Sequence, residues 1–125
     1  MARPLGNRVR FLGARDDVAE VLRAFDLFVL CSRWEGEPIV LLEAMATALP
    51  CVAAANAAAQ ELLGSNRAGR LVPLGDPGEL AQAIDELAAD PELRALMGDA
   101  GRRAIEGRGG DALARAVLRV YQSHR

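Results

Sequence analysis

Residues 32–50 read Ser32-Arg33-Trp34-Glu35-Gly36-Glu37-Pro38-Ile39-Val40-Leu41-Leu42-Glu43-Ala44-Met45-Ala46-Thr47-Ala48-Leu49-Pro50. The stretch opens as a polar loop with a glycine and enters a helix at Pro38. Proline is tolerated near the first helical position, because its missing N–H would have no partner inside the helix. From Ile39 onward the segment is apolar on all sides except at Glu43, which predicts a buried helix over 38–47. Just before it, Asp26 to Cys31 (DLFVLC) is a nearly continuous apolar run, as expected for a parallel strand covered on both faces. Just after it, Pro50 to Ala55 (PCVAAA) is a second short strand. Strand, loop, buried helix and strand make a parallel α/β unit with a right-handed crossover.

The pattern extends in both directions. Arg8 to Leu12 (RVRFL) is strand-like and stops at Gly13. Asp16 to Phe25 has apolar residues at Val18, Val21, Leu22 and Phe25, the spacing of one helix face, with Asp16 as its N-cap. Ala57 to Leu63 reads as a helix ended by Gly64, and Gly69 to Pro73 as a short last strand. Residues 1–75 thus form a βα core of about four strands alternating with three helices. Residues 76–125 read as three helices. Asp76 caps the first, with Leu80, Ile84 and Leu87 on one face, and Asp90 caps the second, with a proline again in the first turn. Gly109 and Gly110 break it, and Asp111 to Ser123 closes the chain with Leu113, Val117, Val120 and Tyr121 on one side. The arginine-rich outer faces of these helices read as solvated surface, with an interaction with anionic lipid heads as the alternative.

Size and composition narrow the function. The 125 residues, 13.3 kDa, suit one domain. A net charge of −2 and a pI near 5.4 argue against nucleic-acid binding through phosphate contacts. No apolar stretch is long enough for a membrane span, and no signal peptide is expected. All 15 basic residues are arginine, so no mechanism can draw a lysine from this chain. Cys31 and Cys51 sit in apolar runs without a CxxC pair and read as reduced core residues of a cytoplasmic protein. The single histidine, His124, lies at the chain end and is not a catalytic candidate.

The chemistry concentrates at the start of the buried helix. In open α/β sheets ligands bind at the carboxyl ends of strands. The backbone N–H groups of the first helical turn, about Ile39 to Leu41, offer hydrogen bonds and partial positive charge to an anion such as phosphate. An ionised Glu43 inside an apolar helix costs several kcal/mol unless it has partners. Helical side chains tilt toward the N-terminus, so its carboxylate reaches back toward the loop holding Glu35. A carboxylate accepts two hydroxyl hydrogen bonds, which suits neighbouring sugar hydroxyls beside a phosphate, as in a nucleotide. The alternative is a buried glutamate satisfied by an arginine or a backbone N–H. Glu35, in a polar loop and taken alone, reads as plain surface.

Glu35 and Glu43 enclose seven residues, and the frame SRWEGEPIVLLEAMATALP resembles the E-x7-E signature of retaining glycosyltransferase family 4. RVRFLG, DLFVLCS, PCVAAANAAAQELL, GRLVP, GDPGELAQAI and PELRALMGDAGRRA follow that family's order. They match the second half of its C-terminal, nucleotide-binding domain in the GT-B fold, a partial Rossmann-like domain. The resemblance implies a nucleotide-sugar donor, UDP-, GDP- or ADP-linked, and transfer to a glycan or lipid-linked acceptor without a metal or other cofactor. It implies that Glu43 holds the ribose hydroxyls and that Glu35 meets the donor sugar at the anomeric carbon. Gly36, with the amides of Ile39 and Val40, then matches the diphosphate-binding turn, and Ser32 belongs to the same donor-binding loop. Acceptors in the family are often lipid-linked, so a parent enzyme is expected in the cytoplasm, peripheral to the inner membrane face.

The same resemblance marks what lies outside these residues. A GT-B enzyme has an N-terminal acceptor domain, and its C-terminal domain has two further strands with a loop that supplies an Arg and a Lys to the diphosphate. Without them the chain is expected to be inactive alone, unless a separate acceptor domain or a second copy completes it. With those two strands absent, Arg8 to Leu12 is expected to close up beside Asp26 to Cys31, giving a four-stranded sheet in sequential order. Ala48, Ala57 and Ala58 stand where the family has glycines, which matters wherever a positive φ is required. Besides a transferase half, the sequence leaves open a nucleotide-sugar-binding half-domain without catalysis, an inert remnant, and a GT-B sugar-nucleotide epimerase.

Overall fold

A computed structural model describes residues 6–33, 39–64, 67–108, 114–117 and 119. Three strands, β1 (Phe28–Leu30), β2 (Cys51–Ala54) and β3 (Gly69–Val72), form a parallel sheet in the order β1-β2-β3. Val29 pairs with Val52, and Val52 pairs with Arg70. Helix α1 (Val18–Arg23) precedes β1, α2 (Ile39–Ala46) joins β1 to β2, and α3 (Ala57–Leu63) joins β2 to β3. Two longer helices, α4 (Pro77–Ala88) and α5 (Pro91–Glu106), follow.

Alternation along β2 sorts the core onto two faces. Cys51 and Ala53 point to the side of α2 and α3, where they meet Leu41, Leu42, Met45, Leu62 and Leu63. Val52 points the other way, toward Ala83 and Leu87 of α4 and Met97 of α5. All four residues of β2 are buried, as befits the central strand. Helix α2 buries Leu41, Leu42, Ala44, Met45 and Ala46, so the all-round apolar reading of this segment holds. The capping expectations for α4 and α5 hold as well. The Asp76 side chain accepts from the Glu79 N–H at 3.0 Å, and that of Asp90 from the Leu93 N–H at 3.0 Å.

Helix α5 reaches the far end of α2 because Gly98 and Gly101 face it. A Cβ at Gly98 would stand 2.0 Å from the carbonyl oxygen of Ala48, so only glycine fits. Ala48 itself has φ 62, the left-handed turn that ends α2. Its place in the family pattern as a glycine therefore has a physical meaning: an L-residue there carries strain of roughly 1–2 kcal/mol. Ala57 and Ala58 instead open α3 as ordinary helical residues.

Four expectations need correction. Arg8 to Leu12 forms no strand, and the sheet has three strands rather than four. Gly6–Arg8 is a short 3-10 turn, and the Phe11 side chain is 96% exposed. Pairing would order the segment at ~1–2 kcal/mol per residue. In return it would gain an edge only three residues long, with Arg8 and Arg10 alternating along it. The N-cap position of α1 is Asp17 rather than Asp16, and Asp17 is drawn into an ion pair with Arg15 at 2.6 Å instead of capping. The helix stops at Arg23, which leaves Phe25 off its buried face and 43% exposed. Cys31 is exposed rather than in the core, because it lies just past the end of β1. Of the last helix expected, residues 114–117 are helical, with Ala114 and Val117 buried against the α2 side of the core. Gly109, Gly110, Leu113, Val120 and Tyr121 lie outside the described residues.

Candidate functional site

Because the strands are parallel, their carboxyl ends open on one side of the sheet. Ser32 follows β1 there, Asn56 follows β2, and Pro73 to Asp76 follow β3. A cleft of about 220 Å³ lies at these ends, lined by Cys31, Ala54, Val72, Pro73, Pro77 and Leu80. Gly75, at φ +73, forms the turn after β3, and the Arg33 guanidinium lies beside it. One Arg33 nitrogen stands 3.2 Å from where a Gly75 Cβ would be, so this cation spans from the β1 loop to the β3 loop.

Asn56 joins two of these segments. Its Nδ2 donates to the Ser32 carbonyl at 2.8 Å, and its Oδ1 accepts from the Ala59 N–H at 2.8 Å. The residue is only 6% exposed, and each end of its amide is engaged in one of these bonds. The cap was legible in Asn56 preceding a run of alanines. The bond to Ser32 was not, because it joins residues 24 apart in the chain. Sequence reasoning therefore missed Asn56.

The expected site residues fall as follows. Ser32 is half-buried at the end of β1. Ile39 and Val40 form the first turn of α2, with Ile39 42% exposed and Val40 half-buried. Glu43 lies one turn further along α2, half-buried, as the only ionisable residue of that helix, and it is engaged within the chain. Ser32, Ile39, Val40 and Glu43 thus belong to one β1–α2 connection. Glu35 and Gly36 lie outside the described residues. Of the two thiols, burial pushes Cys51 up to about 12 and removes it from nucleophilic chemistry at neutral pH.

A parallel sheet with helices on both faces and an open crevice at its strand ends defines a Rossmann-like α/β class of protein. Within that class the chain belongs to the glycosyl transferases group 1 family, whose model matches residues 1–90. It is 37% identical over 99 residues to the N-acetyl-alpha-D-glucosaminyl L-malate synthase of Bacillus anthracis, covering 79% of this chain and 26% of that protein. It is 32% identical over 103 residues to the UDP-Gal:alpha-D-GlcNAc-diphosphoundecaprenol alpha-1,3-galactosyltransferase of Escherichia coli, covering 82% of this chain and 27% of that one. Among solved structures, the sucrose-phosphate synthase of Thermosynechococcus elongatus superimposes with a TM-score of 0.80 at 32% identity, over 95% of this chain and 31% of that chain. The architecture is that of the GT-B glycosyltransferases, as the sequence resemblance implied. The chain spans about a quarter to a third of the length of these relatives.

Proposed function

We propose that this chain is the donor-binding half of a retaining glycosyltransferase of family 4, taking a sugar from a nucleotide-sugar donor. The observation that carries the reading is the β1–α2 connection. Along it Ser32 follows β1, Ile39 and Val40 form the first turn of α2, and Glu43 comes one turn later. Amides at the start of an eight-residue helix suit a diphosphate. A carboxylate one turn on suits a vicinal diol.

In this reading Gly36 adds to the diphosphate turn and Glu35 stabilises positive charge developing at the anomeric carbon. The galactosyltransferase relative is named for a UDP-linked donor and a lipid-diphosphate acceptor, which supports the same substrate class here. The free thiols fit a reducing, cytoplasmic setting. No lysine is present to neutralise a leaving diphosphate, and Arg33 is a cation at the strand ends. These residues therefore bind donor without turning it over alone, since such charge stabilisation is a large part of the catalytic effect. Transfer requires an acceptor domain or a second copy.

Calorimetric titration with UDP-glucose, GDP-mannose and ADP-glucose tests the reading. Binding by the wild-type chain, weakened about tenfold or more in Glu43→Gln, is the expected result, given ~1.5–3 kcal/mol for hydrogen bonds to a charged group. No binding at millimolar ligand, or equal binding by the variant, would overturn it.

A further inference from the structure

Asn56 does more than cap α3. Ser32 follows β1 and Asn56 follows β2, and among the described residues β1 pairs only with β2. The bond from Nδ2 therefore draws the Ser32 carbonyl toward the β2 side. A peptide unit is planar and trans, so its C=O and N–H point in opposite directions. The N–H of that unit belongs to Arg33, and peptide planarity therefore directs it away from Asn56 and β2. The Arg33 side chain runs the other way, toward Gly75 in the β3 loop.

The choice of residue follows from the inventory of donors and acceptors. An Ala59 N–H can only donate and a Ser32 carbonyl can only accept, so the bridging side chain must supply one of each. An amide does so. Aspartate lacks the donor, and serine is too short to span both segments. The arrangement is buried, with 6% of Asn56 exposed, so water is a poor substitute for either bond.

We propose that Asn56 is a positioning residue of the donor site: by holding the Ser32 carbonyl, it presents the Arg33 backbone N–H as a hydrogen-bond donor to a diphosphate oxygen of the nucleotide sugar. The inference rests on the donor-site reading given above. It adds one uncharged, non-titrating donor on the β1 side, contributed by the main chain.

The test is an NMR titration of the full 125-residue chain with UDP-glucose, GDP-mannose and ADP-glucose. In the wild-type chain, the Arg33 amide proton moves downfield as the binding probe saturates. Asn56→Ser and Asn56→Asp each keep an acceptor for Ala59 but cannot donate to Ser32. In the folded variants the affinity falls about tenfold and the Arg33 response disappears. Wild-type binding that leaves the Arg33 amide unmoved overturns the proposal, whether or not the variants fold. Folded variants that bind as tightly as wild type also overturn it. No binding of any probe to the wild-type chain overturns the donor-site reading itself, and this proposal with it.

Discussion

Arg102 of α5 donates from Nη1 to the carbonyl of Ala46, the last residue of α2. The final carbonyls of a helix have no intrahelical partner, and a cation there also opposes the negative end of the helix dipole. Arg102 is 8% exposed, and its Nε reaches Glu106 at 2.8 Å. Its Nη2 is buried and has no hydrogen-bond partner among the described residues. One guanidinium therefore both anchors the helix that carries Glu43 and holds an unsatisfied donor. Replacing Arg102 by Ala removes the charged hydrogen bond and the packing of its stem, and costs about 2–3 kcal/mol of stability. Arg102→Met keeps most of the packing and removes the orphan donor, so its cost is the smaller. Urea denaturation of both variants checks the order.

The turn that ends α2 sets a second prediction. Ala48 at φ 62 is relieved by glycine, so Ala48→Gly stabilises by about 0.5–1 kcal/mol after the added unfolded-state entropy is counted. Gly98→Ala does the opposite, because its Cβ would overlap the Ala48 carbonyl. A backbone carbonyl cannot rotate away like a side chain, so the cost is at the upper end of overpacking, about 3 kcal/mol. Thermal melts of the two variants, moving in opposite directions, would bear this out.

Acid sensitivity follows from Glu86. Its carboxyl is lowered by a hydrogen bond from Arg70 and by that residue's charge, with Gln82 adding a weaker bond at 3.4 Å. A depressed folded-state value means the carboxylate favours folding above the ordinary glutamate range, near pH 4.3. That contribution is lost as the pH falls through the lowered value. The pair is solvent-exposed, so the effect is small and salt weakens it. Urea midpoints measured from about pH 6 to about pH 3 fall less steeply for Glu86→Gln than for wild type.

The two thiols differ in reactivity. Cys31 is exposed at the strand ends, while Cys51 is fully buried with its thiol pushed up to about 12. A thiol-reactive dye at neutral pH labels Cys31 in the native chain and Cys51 only after unfolding. Labelling of Cys51 at the native rate of Cys31 would contradict the packing described here.

Much of the architecture is local and was legible. The buried helix α2 follows from an apolar run broken only by Glu43. The starts of α4 and α5 follow from Asp-Pro pairs whose caps form as expected. The helical span of α3 is read from the alanines and Gly64. Each of these depends on neighbours within about one helical turn, which a sequence displays directly. The residues proposed for the donor site were legible only as a pattern of spacing along the β1–α2 connection.

What the sequence alone determined is the alternation of strands and helices from β1 to α5, the buried helix α2, and the family. The fully buried strand is β2, whereas Asp26 to Cys31, expected to be covered on both faces, yields a β1 with Val29 exposed. Tertiary structure decided which segments meet. Arg8 to Leu12 has a strand-like sequence, yet no partner offers enough edge to offset ordering it. Asp16 reads as the cap of α1 on paper, yet the N-cap position falls to Asp17, whose side chain pairs with Arg15. Asn56 reaches Ser32 only because two parallel strands bring their ends together. Capping and periodicity are properties of a short stretch of chain; pairing and cross-loop hydrogen bonds depend on which distant groups the fold places within 3 Å of each other.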